Sequence, residues 1–280
     1  MKRVIYHSPC SDGFAGCLAA WKRFGNEDVD YLGWGHGDLM PADAYIEEGD
    51  EVYVIDLTFP RDVLLDWYDK AETLVVLDHH KTGLENVGDL EFVQIDMKHS
   101  GAYMAWEYFH PEEEIPEIIK YVEDKDLWKW ELPDSKEINA AIESYPFDFD
   151  IWNSWLIIDH WNRHDETRAS LFLEGEVALR MKDRIIERLM EHIEHKRFDE
   201  FEVPSVNTSL FPSEIGHELL QLFPDAPFAM THYNRQGREY YSFRSEDHRE
   251  DVSLLAERYN GGGHRNASGG RIYDMDNYDC

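Results

Sequence analysis

Three apolar runs in the first eighty residues each break off at groups that bind metal or move protons, and this recurrence restricts the fold more than any other feature of the chain. "RVIYH" ends in His7 and leads into Cys10 and Asp12, "EVYVIDL" carries Asp56, and "TLVVLDHH" ends in Asp78, His79 and His80. Between the runs lie pieces of helical periodicity. "GFAGCLAAWKRFG" (13–25) stops at a glycine, and "PRDVLLDWYDKA" (60–71) opens on a proline suited to a first helical turn. "EFVQID" (91–96) is a further strand candidate. Short apolar strands alternating with helices predict an α/β unit: a parallel sheet with helices on both faces. Ligands of such sheets bind at the carboxyl ends of the strands, which is where these polar groups stand.

Each of these residues also has a bland reading. Asp56 could cap the segment after it, Asp12-Gly13 could be an ordinary turn, and His7 could be a hydrogen-bonded structural histidine. Gathered at one end of one sheet, however, the carboxylates would repel one another unless cations neutralised them. A pair of divalent ions meets that need. Mixed carboxylate and imidazole donors suit Mn²⁺, with Mg²⁺ less favoured because of the histidines.

Beyond residue 100 the pattern turns mostly helical, from "SGAYMAWEYF" (100–109) to the long amphipathic "EVALRMKDRIIERLMEHIEHKRF" (176–198). Composition then shifts to Pro, Ser, Thr and Asn in "FEVPSVNTSLFPSE" (201–214). A short helix (213–222), strands "FAMTHY" and "EYYSFR", a helix through "DVSLLAERY" and the glycine loop "NGGGHRNASGG" follow. The expected organisation is an α/β domain with its helical connector over 1–198, carrying the candidate metal ligands, and a smaller α+β domain over 199–280. "GWGHGD" (33–38) lacks the third glycine of a dinucleotide fingerprint and reads as a loop. "IIDHWNRHDE" (157–166) reads as a helix surface, and the tryptophans at 128, 130, 152, 155 and 161 as packing.

The formal net charge of −31 disfavours a grip on long nucleic acid. It is unevenly spread. Residues 1–225 hold 20 basic and 49 acidic side chains, whereas residues 226–273 hold seven arginines, no lysine and six acids. Metal ligands in an acidic body and an anion-reading surface near the C-terminus fit that asymmetry. In the glycine loop, backbone free to take positive φ lets His264 and Arg265 approach a phosphate, and Arg244 offers a planar guanidinium nearby in sequence. The three cysteines form no disulfide or zinc pattern, so a reducing, cytoplasmic setting is expected. No apolar run reaches the roughly 18 residues of a membrane span, and the oligomeric state stays open, a homodimer included.

"LDHHKT", with "CSDG" and "VIDL" upstream and "GGGHRNASGG" downstream, resembles the DHH phosphoesterases that carry a C-terminal DHHA1 domain. Those enzymes include oligoribonucleases and dinucleotide phosphodiesterases, and pyrophosphatases and exopolyphosphatases are related to them. The resemblance implies a catalytic role for the domain over 1–198, substrate binding for the domain over 199–280, and a two-ion centre. In it Asp56 bridges both ions, His7 and Cys10 serve one, and Asp12, His79 and an aspartate of "YVEDKDLW" serve the other. Asp124 is preferred for that last place, with Asp126 as the alternative. Asp78, His79 and His80 form the catalytic triplet, Asp78 and His80 orienting ligands or touching substrate. Arg244, His264 and Arg265 are the implied substrate contacts. Cys10 stands where many relatives have aspartate. A thiolate there would favour Zn²⁺ or Fe²⁺; a neutral, packed thiol would leave one ion weakly held.

The implied reaction is hydrolysis of short oligonucleotides or dinucleotides to 5′-mononucleotides by a metal-activated hydroxide. Cyclic dinucleotides, pyrophosphate or polyphosphate are alternative substrates. A nucleic-acid-binding module without catalysis is a third reading, since DHHA1-like domains also occur in a tRNA synthetase.

Overall fold

The computed structural model describes residues 1–35, 46–156 and 166–273. The chain forms two compact units, Met1–Arg180 and Met181–Cys280, with the division falling inside one helix. The first unit holds strands β1 (Lys2–His7), β2 (Val29–Trp34), β3 (Glu51–Ile55), β4 (Thr73–Asp78) and β5 (Val93–Ile95). Its described helices are α1 (Ser11–Phe24), α2 (Arg61–Lys70), α3 (Lys81–Val87), α4 (Gly101–Phe109), α5 (Glu117–Asp126), α6 (Ser135–Ser144), α7 (Phe149–Leu156) and the start of α8 (Glu166–Met190).

The five strands pair in the order β2-β1-β3-β4-β5, and every pairing is parallel. Alternation along the strands feeds two cores. Val4, Tyr53, Ile55, Val75 and Leu77 pack with α1, α4 and the helices after it. Ile5, Val52, Val54, Leu74 and Val76 pack with Leu64 and Trp67 of α2 and Val87 of α3. Burial on both faces explains why the strands read as nearly unbroken apolar runs. Strand order reverses at β1, which leads to β2 on one side and β3 on the other. In open α/β sheets that reversal opens a crevice at the carboxyl ends of the two diverging strands.

The second unit carries a six-stranded mixed sheet, ordered β10-β11-β9-β8-β7-β6. Its strands are β6 (Glu194–Phe198), β7 (Phe201–Asn207), β8 (Ala229–Arg235), β9 (Arg238–Arg244), β10 (Gly262–His264) and β11 (Ala267–Tyr273), and only β7 and β8 run parallel. α9 (Pro212–Leu222) makes the crossover between those two, placing Ile215 and Leu219 against Val206 and Ala229. α10 (Val252–Arg258) covers the other face, against Val203, Met230 and Phe243.

Several expectations need correction. The helix expected through residue 198 ends at Met190, because "EHKRF" becomes the edge strand β6. The "VPSVN" stretch, expected as part of a boundary segment, is strand β7, with Pro204 opposite His195 of that edge strand. The glycine loop is a hairpin: β10 and β11 pair with Gly262 opposite Gly269 and His264 opposite Ala267. A methyl group on Gly261 would land on the Gly269 carbonyl, so only glycine permits this approach. Gly33 and Trp34 close strand β2, whereas residues 36–38 of the expected loop lie outside the described residues. The expected helix surface at 157–166 lies outside them too, but for Glu166, which opens α8. Trp152 and Trp155 are core residues as expected; Trp128 and Trp130 are only half-buried. No described helix is long and apolar enough to cross a membrane.

Candidate metal centre

The tips of β1, β3 and β4 bring the polar groups together. β1 ends at His7, and α1 begins four residues later with Asp12 in its first turn. Gly13 lets that turn fold back on the strand, since a methyl there would collide with the His7 carbonyl. β3 stops at Ile55, and Asp56 turns away with a φ of 61°. Left-handed backbone is uncommon outside glycine but tolerated by aspartate, and it recurs where a side chain must be aimed into a site. β4 ends at Asp78, followed directly by His79 and His80, and His80 precedes α3.

Asp56 is the hub. Its Oδ2 lies 3.2 Å from His7 Nδ1, and its Oδ1 lies 3.2 Å from His79 Nε2. The same His79 nitrogen lies 3.4 Å from Asp126 Oδ2 and 3.8 Å from Asp12 Oδ2. Two of the donor groups that result are His7 with Cys10 and Asp56, and Asp12 with His79 and Asp126. Within each, one ligand atom per residue falls within 4.8 Å of the others. Asp12, Asp56 and His79 are almost wholly enclosed; the Asp126 side chain is 24% exposed and marks the open side.

Asp78 acts one step back. Its Oδ1 accepts the His79 backbone N–H at 2.8 Å and lies 2.7 Å from His80 Nδ1, fixing that ring. Asp78 Oδ2 is buried with no hydrogen-bond partner among the described residues, and Gly83 leaves it space: a methyl there would come within 2.7 Å.

Asp124, the preferred aspartate, is engaged inside the fold. Its carboxylate accepts the N–H groups of Glu131 and Leu132 at 2.9 and 3.3 Å and the Ser135 hydroxyl at 2.5 Å, so it ties the loop after α5 to the start of α6. Asp126, two residues on, takes the place beside His79. The motif residues did not single out Gly101. Its N–H donates to Asp12 Oδ2 at 2.7 Å, and the N–H of Ala102 donates to Oδ1 at 3.0 Å. The positive end of α4 therefore holds Asp12 in place. The available signal was "HSGAY", a serine N-cap opening a helix.

The carboxylates and imidazoles of the centre perturb one another strongly. Burial pushes the Asp12 carboxyl well above its usual range, helped by the charges of Asp56 and Asp126. Asp126 is raised for the same reasons, burial first and the Asp56 charge second. For Asp56, burial works in the opposite direction, yet the hydrogen bonds from His7 and His79 hold its carboxyl well below the usual range. Burial disfavours charge on His79, but the neighbouring Asp126 and Asp56 carboxylates raise it well above its usual value. His7 is raised likewise, against burial, by Asp56 and Cys10. Enclosed carboxylates and imidazoles that shift one another this strongly are the setting in which divalent cations are bound. Lys125 is engaged by Glu143. The donor set of carboxylate, imidazole and one thiol fits divalent first-row metals.

Of the substrate residues expected in the second unit, two are occupied structurally. Arg244 donates to the Phe243 carbonyl at 2.7 Å and the Ser213 and Ser242 hydroxyls at 2.6 and 3.1 Å, and burial lowers it to about 10. Arg265 donates to the Asp247 and Arg249 carbonyls at 2.9 and 3.0 Å. Arg249, in the same arginine-rich region, grips the Leu220 carbonyl in the last turn of α9 and the Phe223 and Ala226 carbonyls after it. His264 ends β10 and is half-buried.

No family model matches the chain. An uncharacterised protein of Acanthamoeba polyphaga mimivirus is 30% identical over 281 residues, which cover 95% of this chain and 66% of the relative. Oligoribonuclease NrnB of Bacillus subtilis (strain 168) is 26% identical over 215 residues, covering 71% of this chain and 53% of NrnB. The chain therefore spans about two thirds and about half the length of these two curated relatives. Among solved structures, the DHH domain of a member of the s1p family of ribosomal proteins superposes with a TM-score of 0.57 at 13% identity, covering 99% of this chain and 83% of that one. Over nearly its whole length this chain shares its fold with that DHH domain, and its fourth strand ends in Asp78-His79-His80.

Proposed function

We propose that the protein is a metal-dependent phosphodiesterase that hydrolyses short oligonucleotides or dinucleotides to mononucleotides. The observation that carries this reading is the division of the Asp56 carboxylate between two donor groups, one oxygen 3.2 Å from His7 and the other 3.2 Å from His79. A single carboxylate so placed is suited to joining two divalent ions. His7, Cys10 and Asp56 would hold one, and Asp12, His79, Asp126 and Asp56 the other. Bound ions of this kind supply a nucleophile at neutral pH and neutralise charge on the attacking and leaving oxygens of a phosphate.

The remaining work belongs to the chain. The α4 N-terminus fixes Asp12, so one wall of the centre needs no rearrangement when ions enter. Asp78 fixes His80, whose side chain is 15% exposed, giving a directed ring that can hold or deliver a proton at the leaving oxygen. Enclosure of Asp12, Asp56 and His79 keeps bulk water from competing for their charges.

Likeness to the oligoribonuclease NrnB supports a nucleotide substrate. The charge of −31 supports a short one, because a long polyanion would meet repulsion along its length. Incubating the metal-loaded protein with a labelled RNA dinucleotide, a cyclic dinucleotide, pyrophosphate and polyphosphate tests the reading. Mononucleotide from the linear dinucleotide, lost in His79→Ala, is the expected result. Orthophosphate from pyrophosphate without dinucleotide cleavage would replace it with the pyrophosphatase reading, and absence of turnover on every substrate would leave the binding-module reading.

A further inference from the structure

The two donor groups that meet at Asp56 are chemically unlike. Asp12, His79 and Asp126 offer carboxylate oxygen and imidazole nitrogen only; His7, Cys10 and Asp56 include a sulfur. The protein's other described cysteine gives a measure of how Cys10 is placed. Cys17 is fully buried in the apolar core under the sheet, the setting in which a thiol behaves as a small hydrophobe. Cys10 is only half-buried, precedes α1 as its N-cap residue without capping it, and directs its sulfur to within 4.8 Å of a His7 nitrogen and an Asp56 oxygen. Packing does not account for a thiol set among an imidazole and a carboxylate.

We infer that the centre is asymmetric: the His7–Cys10–Asp56 side selects a thiophilic divalent ion of the Zn²⁺, Fe²⁺ or Co²⁺ class, and the Asp12–His79–Asp126 side takes a harder ion such as Mn²⁺. The inference rests on the reading of these groups as a metal centre. Thiolate favours the softer ions, whereas a set with two carboxylates and no sulfur suits a harder ion such as Mn²⁺. Asp56, offering one oxygen to each side, is common to both and carries no preference of its own.

Cobalt titration of the metal-free, full-length protein tests this without recourse to activity. Thiolate-bound Co²⁺ absorbs in the near ultraviolet through sulfur-to-metal charge transfer, and cobalt held by oxygen and nitrogen does not. The wild type is expected to show this band, Cys10→Ser to lose it, and Asp126→Asn to keep it. Manganese binding followed by electron paramagnetic resonance should give one tight ion in the wild type and two in Cys10→Asp, where both sides become hard. Circular dichroism and thermal melting confirm that each variant is folded.

A missing band in wild-type protein, a band that survives Cys10→Ser, or two equally tight Mn²⁺ ions in the wild type would each overturn the proposal. The proposed function fails separately. A cobalt band in a protein that cleaves no phosphodiester keeps the asymmetry and discards the activity; dinucleotide cleavage without a band does the reverse.

Discussion

Asp12 and Gly101 are 89 residues apart and joined by a 2.7 Å hydrogen bond from the glycine N–H to the aspartate carboxylate, which couples the first turn of α1 to the first turn of α4. The glycine is required by space as well as by its N–H. A methyl group on Gly101 would lie 2.6 Å from the Asp56 Cβ and 3.0 Å from Asp12 Oδ2. Gly101→Ala should therefore destabilise the protein by about 1–3 kcal/mol, the usual cost of overpacking. It should weaken Mn²⁺ binding as well. Urea unfolding and metal titration of the variant check both, and wild-type values in both would show that Asp12 is not held this way.

Asp124 and Asp126 should separate stability from activity. Asp124 accepts three hydrogen bonds inside the fold, and Asp124→Ala strands their donors at a cost of about 2–4 kcal/mol. Asp126→Asn removes a charge that Asp56 opposes, so its thermal midpoint without metal should equal or exceed that of the wild type. Its turnover should fall by at least about 100-fold if it ligates an ion, a loss of near 3 kcal/mol in transition-state stabilisation. Melting curves and initial rates on the two variants make the comparison. The opposite pattern would restore Asp124 to the centre.

Acid should weaken one tie remote from the centre in a calculable direction. Asp50 Oδ2 accepts from Arg3 Nε at 2.6 Å and from the Glu47 N–H at 2.9 Å, and Oδ1 pairs with the N-terminal amine at 3.1 Å. Burial would raise this carboxyl, but those partners outweigh it and hold it below its usual value. A depressed folded value contributes stability that is fully present above the unfolded pKa of about 3.9 and fades as pH falls through the folded value. Asp50→Asn should cost on the order of 3 kcal/mol at pH 7 and progressively less below about pH 4. Urea unfolding at a series of pH values measures the difference. A gap that stays constant down to pH 2 would contradict the assignment.

Metal removal should destabilise the first unit. Four enclosed or partly enclosed carboxylates, Asp12, Asp56, Asp78 and Asp126, then face one another without a divalent cation between them. Saturating Mn²⁺ should raise the thermal midpoint relative to chelator-treated protein, with a stabilisation of about 2.7 kcal/mol at one hundred times the dissociation constant. Scanning calorimetry with and without chelator reads it, and Asp56→Ala should abolish the response. Identical melting of treated and untreated protein would argue against a metal centre.

What could be read from the chain follows its physical signals. The parallel sheet was legible because strands buried on both faces leave dense apolar runs, and the tips were legible because those runs end in groups too polar for a core. β2 was missed: "VDYLGW" mixes aspartate and glycine with its apolar residues, and most of the strand is only half-buried. β6 was absorbed into the preceding helix because "EHKRF" is charged, as an edge strand can be, and continues the pattern of α8. The choice of Asp124 ignored helical phase. At 3.6 residues per turn, Asp126 follows the buried Ile119 by two turns and Val122 by one, whereas Asp124 points away from that stripe. Asp124 is enclosed instead by the loop it bonds, a contact no local pattern announces. The surroundings of Arg244 and Arg265 were not legible for a related reason: the carbonyls and hydroxyls that accept from their guanidinium groups are brought there by the fold.

The central claim is that Asp56 unites two donor groups into one two-ion centre, and counting ions tests it most directly. Divalent metal bound per chain should be measured by elemental analysis after equilibration with manganese and zinc together, for wild type and Asp56→Ala. The account predicts two ions in the wild type and, in the folded variant, loss of tight binding on both sides together with dinucleotide cleavage. An Asp56→Ala protein that still holds two ions and cleaves dinucleotides at the wild-type rate would contradict it.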